Sequence, residues 1–138
     1  MKKFKVGYTT GVYDMFHIGH LNILRRAKEQ CETLIVGVTT DELCFKRKHK
    51  YPIINERDRK AIVEAIRYVD RAIFQTDMDK IRTVKELGAD VVFVGSDWKG
   101  TDAWIQYEKE FATAGCNVIY LDHTDGISST ILREKISK

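Results

Sequence analysis

Two histidines, His17 and His20, lie three residues apart around Ile18 and Gly19. An apolar run (Phe4, Val6, Tyr8) precedes them and a helix-period run (Leu21, Ile23, Leu24, Ala27) follows. At i and i+3 of a helix the two imidazoles share a face. A helix starting here offers free N–H groups and the positive end of its dipole, and Gly19 leaves the backbone open to a ligand, so the pattern suits a phosphate. The same residues also describe two polar side chains on an exposed helix end. Zinc fits less well, because helical zinc pairs prefer i, i+4 and no third or fourth ligand stands out. Asp14, in the same loop, suits a cap or a brace for a histidine or the loop backbone.

Further groups could meet such an anion. Lys46-Arg47-Lys48-His49-Lys50 is a cationic run; most such runs are solvated faces. Arg59 and Arg67, eight residues apart, would share a helix face. Arg67 and Asp70 could equally form an ion pair at a helix end. Gly95-Ser-Asp-Trp-Lys-Gly100 offers Asp97 and Trp98 in a glycine-bounded loop suited to a nucleotide, or an ordinary turn with Trp98 over the core edge. Thr124-Asp-Gly-Ile-Ser-Ser-Thr130 gathers hydroxyls where a helix should begin, a second phosphate cradle or a plain N-cap.

The elements that must position these residues follow from periodicity. Apolar runs at 4–9, 34–38, 71–74, 91–94 and 118–121 read as strands, several of them buried on both faces. Helical patterns occupy 19–30, 55–68 (capped by Asn55), 78–87 (stopping at Gly88), 102–114 (stopping at Gly115) and 128–136. The stretch 44–54 reads as irregular. This β-α alternation predicts an α/β fold: a Rossmann-like open parallel sheet with helices on both faces, in a single domain spanning 1–138. Ligands bind such sheets beyond the strands' carboxyl ends, which gathers the loops 10–17, 40–54, 95–101 and 122–128 on one rim. A polyphosphate, and so a nucleotide, fits that rim. Neither a Walker A pattern nor G-x-G-x-x-G is present, which argues against a P-loop and weakens a dinucleotide reading.

Bulk properties narrow the setting. The 138 residues are 43% hydrophobic and 31% charged, with a net charge of +3, too small to make nucleic acid the main partner. The three cysteines, Cys31, Cys44 and Cys116, form no CxxC pair, which suits a reducing, cytoplasmic setting. No signal-peptide pattern and no apolar stretch of membrane-spanning length is found, so no membrane partner is expected.

With these residues in place, Gly11-Val-Tyr-Asp-Met-Phe-His-Ile-Gly-His20 resembles the G-x-[FY]-D-x-x-H-x-G-H signature of the HxGH nucleotidyltransferase superfamily. Arg67-Tyr-Val-Asp70 and Gly126-Ile-Ser-Ser-Thr130 resemble the RYVD and RTEGIST motifs of its cytidylyltransferases, and the length matches the short bacterial members that act on glycerol 3-phosphate. The resemblance covers the whole chain. It implies a reaction in which CTP and a phosphoalcohol give a CDP-alcohol and pyrophosphate, with Mg²⁺ accompanying the triphosphate and the product feeding a cell-wall or capsule polymer. It also implies roles. His17 and His20 donate to the α-phosphate, while Gly11, Val12, Tyr13, Asp14, Gly19, Asp97 and Trp98 surround the nucleotide. Lys48 or Lys50 neutralises phosphate. Arg59, Arg67 and Lys50 hold the acceptor. His123, Thr124, Gly126, Ile127, Ser128, Ser129 and Thr130 hold the remaining phosphates. A homodimer with the RYVD region near its interface is implied too. An adenylyltransferase using FMN or a sugar phosphate is the rival enzyme, and a nucleotide-binding module without turnover the rival of another class. The chain departs from the family at His123, where the motif has arginine, a permanent forked donor; a histidine there predicts either a weaker hold on CTP at pH 7 or a phosphoalcohol acceptor other than glycerol 3-phosphate.

Overall fold

The computed structural model describes residues 2–122 and 129–137. Five strands form one parallel sheet: β1 (Phe4–Gly11), β2 (Cys31–Thr39), β3 (Arg71–Gln75), β4 (Val91–Gly95) and β5 (Asn117–Leu121), in the order β3-β2-β1-β4-β5. β1 is central. It pairs with β2 from Phe4↔Cys31 to Gly11↔Val38 and with β4 from Gly7↔Val91 to Thr9↔Phe93. Among the described residues the helices are α1 (Ile18–Gln30), α2 (Asp41–Lys48), α3 (Glu56–Glu64), α4 (Lys80–Leu87), α5 (Asp102–Thr113) and α6 (Ser129–Ser137).

Two apolar layers fix the sandwich. On one face Leu24 and Ala27 of α1 and Val63 of α3 pack with Leu34, Val36 and Val38 of β2. On the other, Val84 of α4 and Trp104 and Phe111 of α5 pack with Tyr8, Ile35 and Val92. Each fully buried aliphatic side chain stabilises by about 1.5–3 kcal/mol. The alternation dictated by the sequence therefore yields the expected three-layer architecture. At the β1/β4 boundary the following helices part, α1 to one face and α5 to the other, and a crevice opens above the strand ends.

Two elements differ from the sequence expectation. The 44–54 stretch is irregular only in part, because α2 runs to Lys48. The Thr40 side chain accepts from the Leu43 amide at 3.2 Å, Asp41 and Glu42 occupy the first turn, and Lys46, Arg47 and Lys48 occupy the last. Both ends thus complement the helix dipole, and His49 closes the helix in the left-handed region at φ 58°. The third helix ends at Glu64 rather than Tyr68, because the Ala65 amide is shared among the carbonyls of Ala61, Ile62 and Val63 and the last turn tightens. Arg67 consequently stands in a turn, not eight positions along a helix from Arg59.

Candidate active site

The β1–α1 loop carries the candidate site. Tyr13 and Met15 both take positive φ, 54° and 50°, which costs a residue with a Cβ about 1–2 kcal/mol. Asp14, between them and only 3% exposed, holds the turn in place. Its carboxylate accepts from the Ile53 and Ile54 amides at 2.9 Å each and from Arg133 Nη2 at 2.9 Å. Its carbonyl accepts from Ser129 Oγ at 2.7 Å. Burial pushes the Asp14 carboxyl up, but the two amides and the Arg133 guanidinium outweigh it and hold the group below the usual carboxylate range. Asp14 is therefore the brace that the sequence suggested, joining three separate chain segments.

Gly11 is required by Tyr13, whose ring folds back over it: a Cβ at Gly11 would lie 2.9 Å from two ring carbons. The Tyr13 ring then meets the His20 ring edge-on at 5.3 Å between centroids, Phe16 lies 5.2 Å from His20, and His17 stacks on it at 3.9 Å. His17 is the N-cap of α1. Its Nδ1 accepts from the Gly19 amide at 3.0 Å, and His20 Nδ1 accepts from the His17 amide at 3.2 Å. A nitrogen that accepts from N–H cannot carry a proton, so both rings are Nε2–H tautomers with one donor edge left over. Burial lowers both pKa values; His20 falls to about 4, with the neighbouring His17 adding to the effect and Asp14 opposing it. The Gly19 amide is thus spent on the cap rather than left for a ligand.

A cavity of about 810 Å³ opens above the strand ends. It gathers Gly11, Val12, Tyr13, Asp14 and His20 with Lys48, Lys50, Trp98, Ser129 and Thr130. His17 stacks on His20 at its side, and Asp97 lies in the exposed 3-10 turn Ser96–Trp98 beside it. His123, Thr124, Gly126, Ile127 and Ser128 lie outside the described residues.

Two expected acceptor ligands stand elsewhere. Arg59 is 1% exposed and spends its donors on the carbonyls of Ile54 (2.8 Å), Val12 (2.7 Å) and Thr39 (2.7 Å) and on Asp41 Oδ1 (2.6 Å). It ties the β1–α1 loop, the end of β2 and the start of α3 together and shapes the site from behind. Arg67 precedes β3, at the opposite end of the sheet from the cavity, with its guanidinium 5.9 Å from the Tyr68 ring. Asp70 pairs not with Arg67 but with Lys28, at 2.6 Å, and accepts from the Leu34 amide at 2.7 Å.

Arg47 of the cationic run also lines the cavity, and the sequence reading missed Lys80, Trp104 and Arg133, which line it too. Lys80 carried one legible signal: a lysine in the first turn of a helix opposes the dipole and so calls for another reason to be there. Among the described residues no group of three or more His, Cys, Asp or Glu side chains comes together to hold a metal. Asp14 spends both carboxylate oxygens on the Ile53 and Ile54 amides and Arg133, so a divalent ion here would have to be held mainly by its own ligands and water.

Comparison with known proteins agrees with this geometry. The cytidylyltransferase-like family model matches residues 8–135. Glycerol-3-phosphate cytidylyltransferase of Staphylococcus aureus is 39% identical over 93% of this chain and 92% of its own length. An FAD synthase of Archaeoglobus fulgidus is 36% identical over 80% of this chain and 79% of its own. Among solved structures, a lipopolysaccharide core biosynthesis protein of Thermoplasma volcanium superposes with a TM-score of 0.72 at 29% identity, covering 88% of this chain and 97% of that one. The chain belongs to the cytidylyltransferase-like family, a class of nucleotidyltransferase enzymes. No helix among the described residues is long and apolar enough to cross a membrane.

Proposed function

We propose that residues 1–138 act as one domain that transfers CMP from Mg·CTP to glycerol 3-phosphate, giving CDP-glycerol and pyrophosphate. The observation that carries this reading is the stacked His17–His20 pair, whose cap consumes both Nδ1 atoms and leaves each ring its Nε2–H donor, with His20 in the cavity wall and His17 stacked on it. A phosphate oxygen of the acceptor attacks the α-phosphorus in line, and the bond to the β-phosphate oxygen breaks as the new P–O bond forms. The protein's part is positioning and charge stabilisation. His17 and His20 donate as neutral dipoles to the non-bridging α-phosphate oxygens. Lys48 and Lys50, lining the cavity from the end of α2, supply positive charge. Gly11, Val12, Tyr13 and Trp98 flank the nucleotide, with Asp97 acting from its edge. Ser129 and Thr130, at the start of α6, and the 123–128 segment take the β- and γ-phosphates. Asp14 and Arg59 hold the loop that presents these groups. The same reading places the protein in the cytoplasm and pairs it as a homodimer along the β3 edge near Arg67, where Ile62 and Phe74 are exposed.

The FAD synthase relative favours one rival, transfer of AMP from ATP to FMN. Pyrophosphate release with Mg²⁺, pairing CTP or ATP with glycerol 3-phosphate, phosphocholine, phosphoethanolamine and FMN, separates them. Release with CTP and glycerol 3-phosphate, abolished in His17→Ala, is expected. Release with ATP and FMN in its place would refute the reading.

A further inference from the structure

The last helix, α6, has 9 residues, fewer than an isolated helix needs to hold together in water. It must therefore borrow its order from what it touches. Among the described residues neither apolar layer takes a side chain from α6, and Ile136 stands 69% exposed. Polar tethers hold its start, and they meet at one point. Ser129 Oγ donates to the Asp14 carbonyl at 2.7 Å. One turn further on, Arg133 Nη2 donates to the Asp14 carboxylate at 2.9 Å and to the Tyr51 carbonyl at 3.2 Å. Ser129 and Arg133 lie four residues apart and so share a face of the helix. Asp14 is itself fixed from the other side by the Ile53 and Ile54 amides. Ser129, Thr130 and Arg133 all line the cavity.

We propose that Arg133 is a positioning residue for the β- and γ-phosphates of the nucleotide: it docks α6 on Asp14 and Tyr51 and so sets Ser129 and Thr130 against the rest of the cavity. No acidic residue occupies the first turn of α6, so the positive end of its dipole is left for a ligand. That end serves a phosphate only while the helix is held in place. Arg133 acts through Asp14 rather than on the ligand. Its partner carboxylate is 3% exposed, and a guanidinium that turned to a phosphate would leave that charge buried without its cation. Both bonds leave from the single nitrogen Nη2, so the nitrogen of a lysine can make them as well. The inference rests on the nucleotide half of the reading above and on no particular acceptor.

The test uses Arg133→Met, Arg133→Lys, Asp14→Asn and the Arg133→Met/Asp14→Asn double variant, with circular dichroism confirming the fold. Arg133→Gln takes the place of Arg133→Met should that variant not fold. Titration calorimetry with Mg²⁺ and CTP, without acceptor, reads the nucleotide site with no turnover. Arg133→Met should weaken CTP binding by about tenfold, the loss of a charge-assisted contact. CMP, which has no β- or γ-phosphate, should bind within about twofold of its original affinity, a difference that a general loss of structure would not produce. Arg133→Lys should recover most of the CTP affinity. Asp14→Asn should weaken CTP too, and Arg133→Met on top of it should add little, because the two residues act as one unit. If the unaltered protein binds ATP and not CTP, the cytidylyl reading fails, and the same series with ATP and AMP decides the role of Arg133. Losses that add in the double variant would make Arg133 a direct phosphate ligand and overturn the assignment. So would CMP weakened as much as CTP, CTP binding unchanged in Arg133→Met, no recovery in Arg133→Lys, or no nucleotide binding to the unaltered protein.

Discussion

His20 offers the sharpest check on the reasoning, because its cap fixes both its tautomer and its charge. Its Nδ1 accepts the His17 amide, and burial brings its pKa from 6.5 to about 4. That lowering corresponds to roughly 3 kcal/mol between protonation states. The unfolded chain takes up a proton at His20 as pH falls through 6.5, whereas the folded protein resists until about 4. The neutral ring's contribution is thus complete above pH 6.5. Stability should decline by up to about 1.4 kcal/mol per pH unit between 6.5 and 4 from this group alone, and level off below. The catalytic consequence runs the other way: a donor that is neutral by design has no reason to lose activity at pH 6.5. Long-range ¹H–¹⁵N correlation spectra, assigned with His20→Ala, should show the Nε2–H tautomer and no titration between pH 8 and 5.5. The acid limb of kcat/KM should likewise show no ionisation from this residue near 6.5. A His20 that titrates between 6 and 7, or a ring protonated at Nδ1, would refute the account of the cap and of neutral donation together.

The other perturbations act on the scaffold behind the pair. Arg59→Met leaves the carbonyls of Ile54, Val12 and Thr39 and the Asp41 carboxylate without their donor, and should cost about 3–5 kcal/mol in urea unfolding. Asp14→Asn removes the charge opposite Arg133 and one acceptor for the Ile53 and Ile54 amides, with an expected loss of about 1–3 kcal/mol at pH 7. Because the Asp14 carboxyl is held low, the difference between the two proteins should shrink as pH falls through the folded Asp14 pKa. Gly11→Ala forces the Tyr13 ring away and with it the wall against His20, so kcat should fall more than thermal stability does.

How much of this the sequence displayed depends on the kind of signal. The buried strands were legible because a strand covered on both faces has to be apolar throughout, as Leu34–Val38 and Val91–Val94 are. The helix starts at Asn55 and at the histidine pair were legible because caps are local chemistry, settled within three residues. The helix α2 was hidden because only Leu43 and Cys44 of it are buried, so its charges gave no apolar stripe to read. Arg59 and Lys80 show the deeper limit. One serves backbone carbonyls from three chain segments, which leaves no mark on its neighbours in sequence; the other faces a cavity, and its one mark is a lysine placed against the dipole in a helix's first turn. Arg67 misled for a related reason: the eight-residue spacing from Arg59 is meaningful only while the helix lasts, and it ends at Glu64.

The brace at Asp14 also sets an order of events during synthesis. Asp14 reaches across 39 and 40 residues to Ile53 and Ile54, and across 119 to Arg133. On the ribosome the β1–α1 loop emerges first, and all five strands of the sheet follow before its last tether exists. The turn at Tyr13 and Met15 therefore waits, half-secured, until α6 clears the exit tunnel. The nascent protein has its histidine pair long before it has the means to hold that pair still.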